Sequence, residues 1–432
     1  MENKYDVAVI GAGPAGYTCA VEFAKQNLKT VIIEKENLGG TCLNNGCIPT
    51  KFLWQVAKTK QIISKSFEYA LKAKLEPVNF SDIINKKNKL VANLSKGIER
   101  LLTANNVDII KGFATFKDKN ILSVKTSEKE IEVFANKIII AAGSQCKNIA
   151  GMEFDHKKYI NSTDALNLTE IPKTMLVIGA GAIGVELSSI FSCFGTDVTL
   201  REICPQILPS EDTELAFELT KVLARQGIKV EVSCTDTLKD KDKFEKILIV
   251  AGRQSSAEGL NIENIKLNLD NKKFIETKNY VTNIDNVYAI GDVTGKGFLA
   301  YTAEQDGINA AKNLLQNNDP VPKVVFSFPP SASVKSVDFD KCDDISYGKV
   351  SFSANARAQI EAERTGWVKV AIDNKTKKIK AVWILGANAD ELINIATVII
   401  KAEMTITDLS KNMFFHPGLA ELILEAVRNV KN

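Results

Sequence analysis

Apolar and polar positions alternate along this chain in two rhythms. Short apolar runs at 5–10, 29–34, 137–140, 174–178, 197–202, 247–251 and 286–290 are strand-sized. Between the first ones, residues 52–105 carry apolar side chains at helical spacing (Leu90, Leu94, Ile98, Leu101 and Leu102) with lysines on the opposite side. That spacing predicts packing helices. Residues 107–140 predict five short strands, at 107–110, 114–116, 121–124, 131–134 and 137–140. Residues 235–246 are polar and rich in lysine and aspartate, and read as a turn. Asp319-Pro-Val-Pro322 makes a linker, after which the pattern changes. Strands at 324–327, 347–353, 367–372 and 380–385 are followed by helices near 389–402 and 418–430, the order of an α+β unit.

Two of the strands end in glycine turns of one design. Gly11, Gly13 and Gly16 follow the first strand. The first glycine permits a tight turn, the second lets a pyrophosphate reach the backbone, and the third lets the next helix pack on the strand. The helix N-terminus then offers unpaired amides and a positive dipole end to phosphates. The next strand ends in Glu34, 18 residues after Gly16, where a ribose hydroxyl would be held. Gly143 closes this unit. The device recurs with Gly179, Gly181, Gly184 and Glu202, again 18 residues apart. Two copies mean two dinucleotide sites. Glu202 favours a free 2′-hydroxyl and hence NADH over NADPH, and Arg201 alternates to the other face of its strand. Asp292 sits at the carboxyl end of a strand, where ligands of open α/β sheets bind; the plainer reading is a turn or helix-cap residue.

Composition narrows the classes. The chain has 432 residues, 45% hydrophobic and 25% charged, with a net charge of +3, which argues for two or three ordinary globular domains and against nucleic-acid or membrane binding. No apolar run is long enough to cross a membrane, and a strand starting by Tyr5 leaves no room for a signal peptide. Eight cysteines are too few for a disulfide scaffold. Cys19, Cys146, Cys193, Cys204, Cys234 and Cys342 read as buried or incidental thiols in a reducing cytoplasm.

Cys42 and Cys47 are the exception. A regular helix would hold their Cα atoms about 8–9 Å apart, beyond the roughly 7 Å limit for a disulfide. Gly39, Gly40, Gly46 and Pro49 supply the bend that bonding requires. Zinc would need a second ligand pair, which is not seen, so a reversible cystine is expected and no metal. Lys51 lies four residues after Cys47, on the same helical side, where a cation would stabilise a thiolate. Glu186 is placed in the first turn of the second nucleotide-binding helix. Of the two histidines, His156 falls among charges in a solvated turn. His416 begins a helix containing Glu421, a pairing suited to a proton shuttle. Spacing alone leaves the roles of Lys51, Glu186 and His416 open.

Taken together, Gly-Ala-Gly-Pro-Ala-Gly at 11–16, the Gly-Gly-Thr-Cys…Cys-Ile-Pro-Thr-Lys stretch at 39–51, Gly-Ala-Gly-Ala-Ile-Gly-Val-Glu at 179–186, Ala-Ile-Gly-Asp at 289–292 and His-Pro-x-x-x-Glu at 416–421 resemble the class I pyridine nucleotide-disulfide oxidoreductases, most like the dihydrolipoamide dehydrogenases among them. The resemblance covers the whole chain. It implies an α/β protein with two Rossmann-like dinucleotide-binding domains and an α+β C-terminal dimerisation domain. The FAD domain would be 1–147 with 275–318, the NAD domain 148–274, and the interface domain 319–432. FAD would meet Gly11, Gly13, Pro14, Ala15, Gly16, Glu34, Gly40, Thr41, Lys51, Ala114, Gly143, Gly291, Asp292 and Ala300. NAD would meet Gly179, Gly181, Ile183, Gly184 and Glu202, and Gly252 and Arg253 would be further cofactor contacts.

The resemblance also implies roles. Cys42 would exchange with substrate, Cys47 would face the flavin, Lys51 and Glu186 would pair beside it, and His416 with Glu421 would handle the proton at the cystine of a second subunit. The protein would oxidise dihydrolipoamide with NAD⁺ as a homodimer, with a lipoyl-bearing multienzyme complex as partner. The alternatives are an NAD(P)H-dependent reductase of another disulfide, such as glutathione, or of a metal ion, and a flavoprotein retained for binding. Three features depart from the pattern: the short 235–246 region, Phe414 in place of a second histidine, and Ser327-Phe-Pro-Pro330.

Overall fold

The computed structural model describes residues 3–316 and 318–430. β1 (Lys4–Ile10), α1 (Pro14–Ala24), β2 (Thr30–Glu34), α2 (Gly40–Asn45), α3 (Cys47–Ser64), α4 (Phe80–Ala104), β3 (Asp108–Lys111), β4 (Phe113–Asp118), β5 (Ile121–Lys125) and β6 (Glu130–Ile140) form the first unit. β6 is one strand where the sequence suggests two. Its first half pairs antiparallel with β5, and its second half runs parallel to β1. The polar residues between its two apolar runs do not break it, because different neighbours satisfy the two halves. β3-β2-β1-β6 is a parallel sheet, buried on both faces by separate apolar clusters.

The second unit follows. It comprises β7 (Ser144–Cys146), β8 (Tyr159–Ile160), α5 (Ser162–Ala165), β9 (Thr174–Ile178), α6 (Ala182–Phe194), β10 (Asp197–Arg201), α7 (Thr213–Arg225), β11 (Lys229–Glu231), β12 (Lys246–Ile249) and β13 (Arg253–Ser255). Its main sheet is parallel, in the order β11-β10-β9-β12-β8. The 235–246 stretch is a short loop between β11 and β12 with a single 3-10 turn at Lys241–Lys243. β14 (Val287–Ala289) then returns to the first sheet beside β6, and α8 (Ala300–Ala311) packs on α1.

The C-terminal unit has β15 (Lys323–Val325), β16 (Ser331–Lys335), β17 (Ile345–Ser351), α9 (Ala356–Ile360), β18 (Trp367–Asp373), β19 (Ile379–Leu385), α10 (Ala389–Lys401), α11 (Ile406–Ser410) and α12 (Glu421–Arg428). The five strands form an antiparallel sheet ordered β15-β16-β19-β18-β17, with helices packed on it around one apolar core. β16 has no apolar run, so the sequence pattern passes it over. Carboxylates at the start of α7 tie this sheet to the second unit: Lys369 Nζ donates to Asp212 at 2.8 Å and Glu214 at 2.9 Å.

The helices at 47–104 differ from expectation in one respect. Leu102 is fully buried, but Leu90, Leu94 and Leu101 stay about 40% exposed. Helical spacing identifies an apolar stripe without saying that this chain covers it. No helix among the described residues is long and apolar enough to cross a membrane.

Candidate active site

Both glycine turns close in the same way. Gly11 has φ +99° and Gly179 φ +103°, a left-handed backbone that glycine tolerates. A Cβ on Gly16 would lie 1.9 Å from the Gly11 carbonyl oxygen, and one on Gly184 would lie 1.9 Å from that of Gly179. Strand and helix can therefore meet only through glycine. The middle glycines face space instead: a Cβ on Gly13 would meet nothing nearer than Gly40 Cα at 3.9 Å, and one on Gly181 nothing within 4 Å. Neither α1 nor α6 has a side-chain cap at its N-terminus. Open room beside uncapped amides fits a pyrophosphate at each turn.

The two acids repeat as well. Glu34 accepts from the Ala12 amide at 2.7 Å, and Glu202 from the Ala180 amide at 2.7 Å. Their second oxygens accept from the Glu36 and Cys204 amides at 2.8 and 2.9 Å. Each carboxylate is thus fixed at the lip of its glycine turn. Arg201 is buried on the opposite side, donating to Glu231 at 2.7 Å and to the Thr237 carbonyl at 3.0 Å.

Most of the residues implied for FAD converge on the start of α1. Gly40 touches the Gly13 backbone, and Gly291 packs against Ala15. Gly11, Glu34 and Ala114 line one cavity of about 80 Å³. Gly143 accepts from the Ser256 amide, and Asp292 accepts from the Ser144 hydroxyl at 2.6 Å. Asp292 itself lies in a 3-10 turn, Gly291–Thr294, and Ala300 opens α8. Arg253 is placed here too, its guanidinium donating to the Ser144 hydroxyl and carbonyl at 2.7 and 2.6 Å. Gly252 precedes it at φ +130°. Pro14 is the first residue of α1, Thr41 lies in the first turn of α2, and Ile183 lies beside Gly184 in the first turn of α6.

The cysteines stand at the junction of two helices. α2 ends at Asn45, Gly46 takes φ −145° and ψ −111°, and α3 starts at Cys47. The chain bends where the glycine allows it, and the two sulfurs come within hydrogen-bonding distance as free thiols. The Cys42 thiol donates to Cys47. That hydrogen bond, aided by the Lys51 charge and opposed by burial and Glu186, brings the Cys47 pKa down to about 7. The same bond, with burial, pushes Cys42 up. Cys47 is therefore the more acidic of the two, and Cys42 the one that holds its proton more tightly.

One turn further along α3, Lys51 Nζ lies 3.0 Å from both Glu186 oxygens. Glu186 is in the second turn of α6, not the first, which places it deeper: it is buried and also accepts from the Phe326 amide at 3.0 Å. Sequence reasoning missed the aromatic floor beneath this pair. Lys51 rests 4.4 Å from the Phe326 ring, and Trp54 packs edge-on to Phe326 and stacks on Phe328. The signal was the unusual 327–330 stretch, which runs along this floor. Two phenols were missed as well. Burial raises the pKa of Tyr17, helped by Glu304 and Cys42; burial with the Cys47 charge pushes Tyr301 to about 12.

His416 and Glu421 form a second, separate group. His416 Nδ1 lies 3.1 Å from Glu421 Oε1, and the ring is 72% exposed. His416 does not begin the helix, as its sequence suggests; α12 starts at Glu421, because Pro417 and Gly418 make a turn first. The Gly418 amide, then His416, hold Glu421 below the usual carboxylate range. His156 is an exposed turn residue beside Asp164.

Two glycine-turn dinucleotide sites and a half-buried dithiol define a flavin- and nicotinamide-dependent disulfide oxidoreductase. The chain belongs to the pyridine nucleotide-disulphide oxidoreductase family, whose signature matches residues 5–307 and whose dimerisation domain matches residues 321–427. It is 36% identical to the mitochondrial dihydrolipoyl dehydrogenase of Pisum sativum over 98% of this chain and 91% of that one. It is 31% identical to the dihydrolipoyl dehydrogenase of Bacillus subtilis, over 99% and 98%. Among solved structures, the HOCl-induced flavoprotein disulfide reductase RclA from Escherichia coli, in a Cu(II) complex, superposes with a TM-score of 0.88 at 28% identity, covering 99% of this chain and all of that one.

Proposed function

We propose that the protein oxidises dihydrolipoamide to lipoamide with NAD⁺, through a Cys42–Cys47 disulfide. The observation that carries this is the setting of the dithiol: Cys42 and Cys47 meet at the bend between α2 and α3, and the hydrogen bond from Cys42, with Lys51 one turn on from Cys47 and paired with Glu186, makes Cys47 the more acidic of the two. Cys42 is then the exchange sulfur and Cys47 the leaving one. A substrate thiolate attacks Cys42 in the oxidised pair, and Cys47 departs as thiolate beside the Lys51 ammonium. His416, oriented by Glu421, takes the proton of the second substrate thiol. That sulfur attacks the first substrate sulfur, closes the cyclic disulfide and releases Cys42. FAD held by the first glycine turn supplies the two-electron link from the dithiol to the nicotinamide at the second.

His416 is exposed within one chain, so its action on the cystine requires a second copy. We propose a homodimer built through residues 319–432, each active site drawing His416 from the other subunit. The matched dimerisation domain supports this. The FAD unit is taken as 1–147 with 275–318 and the NAD unit as 148–274. A lipoyl-bearing multienzyme complex is the partner that this substrate implies, and the cytoplasm is the location that six unpaired further thiols suit. The test is a panel: dihydrolipoamide with NAD⁺ against oxidised glutathione with NADPH. Turnover only with the second pair overturns the substrate assignment; turnover with neither favours a binding role.

A further inference from the structure

Cys204 and Cys234 flank Glu202, and the mechanism uses neither. β10 and β11 run parallel, with Arg201 opposite Glu231. The pairing ends there, but the two segments stay side by side, so that Cys204 and Cys234 lie on adjoining stretches of backbone. Three backbone hydrogen bonds of 2.9 Å each join them out of the strand register: the Glu202 amide to the Glu231 carbonyl, the Cys234 amide to the Glu202 carbonyl, and the Ser233 amide to the Cys204 carbonyl. Ser233, at φ +54°, bends the returning strand so that both cysteines come to Glu202. Backbone segments joined by such bonds run about 5 Å apart, within the roughly 4.4–6.8 Å Cα span over which disulfides form. Both cysteines are free thiols and partly exposed. The Cys204 thiol bonds the Glu202 carboxylate, and the Cys234 thiol bonds the Asp236 carbonyl at 3.3 Å.

We propose that Cys204 and Cys234 form a second, regulatory disulfide that lowers affinity for the nicotinamide cofactor. The oxidant is a small-molecule disulfide. The Cys234 thiolate attacks one of its sulfurs and expels a thiolate. The Cys204 thiolate then attacks the Cys234 sulfur and expels the second. The two cysteines lose two protons and two electrons, and the oxidant becomes two thiols. Closing the bond withdraws the Cys204 thiol from Glu202 and pulls the 202–204 lip toward 234. The carboxylate that we assign to the cofactor's ribose is thereby displaced; this functional consequence rests on that assignment.

The test treats FAD-loaded protein with oxidised glutathione, alkylates remaining thiols and digests without reductant. The expected product joins peptides 202–221 and 230–239. KM for NAD⁺ rises about tenfold, the loss of one hydrogen bond to a charged group, and dithiothreitol reverses it. Cys234→Ser keeps the reduced enzyme's activity and loses both effects. The proposal is overturned if no joined peptide appears under conditions that fully form the Cys42–Cys47 bond, or if it appears without a change in KM. Separately, Glu202→Ala with an unaltered KM for NAD⁺ sinks the ribose assignment while leaving the cross-link to stand.

Discussion

Lys51→Met tests the charge logic of the site, because the methionine keeps the stem and removes only the cation. Glu186 is 7% exposed and loses two contacts of 3.0 Å, retaining the Phe326 amide. Breaking a fully buried pair costs about 3–5 kcal/mol. The Lys51 side chain is 34% exposed, so screening trims this to about 2–3 kcal/mol. The effect on Cys47 is separate. An opposite charge at this range is worth at least about one pKa unit, so the Cys47 pKa climbs from about 7 to about 8. At pH 7 the thiolate share then falls from about half to about one tenth. The assay is the pH dependence of alkylation of Cys47 by iodoacetamide in Cys42→Ser holoprotein, where the serine hydroxyl replaces the thiol donor. Glu186→Gln supplies the control of sign: its charge raises the Cys47 pKa, so its removal moves the midpoint down. An unmoved midpoint in Lys51→Met, or both variants shifting the same way, would refute the reasoning.

Other outcomes follow from the same geometry. Gly184→Ala forces a Cβ to 1.9 Å from the Gly179 oxygen and lowers stability by about 3 kcal/mol or more in a urea melt, whereas Gly181→Ala meets open space, melts as wild type, and raises KM for NAD⁺ about tenfold by filling the pyrophosphate's approach. His416→Gln lowers kcat with dihydrolipoamide by about 10²–10⁴, while NADH oxidation by an artificial electron acceptor, which needs no thiol exchange, stays at the wild-type rate. Cys47 is an acid whose native pKa lies below its ordinary value of 9.0. Its contribution to stability is therefore complete above about pH 9 and lost as pH falls through about 7. The urea midpoint of reduced protein accordingly gains more between pH 6 and 9 in wild type than in Cys47→Ser.

The glycine turns, their acids and the cysteine bend were legible because each is local: a backbone constraint that a few adjacent residues satisfy. Arg201 was legible for a similar reason, since alternation along a strand decides its face. What escaped depends on contacts distant in sequence. The Trp54, Phe326 and Phe328 floor joins α3 to a segment some 270 residues away. β16 hides because Ser-Ala-Ser-Val-Lys has no apolar run, and only its neighbours β15 and β19 make it a strand. Leu90, Leu94 and Leu101 show the converse error: periodicity finds an apolar stripe, but only packing decides what covers it. The start of α12 was misplaced by three to five residues because Pro417 fits the first turn of a helix as well as it fits the loop that it occupies.

The most direct test follows the sulfur–sulfur bond through a single reduction. FAD-loaded protein is oxidised with lipoamide, mixed anaerobically with one equivalent of NADH, alkylated and mapped. The account predicts that peptides bearing Cys42 and Cys47 are joined before NADH and separately alkylated after it. A cystine that survives NADH, or that never forms between these two residues, would contradict it.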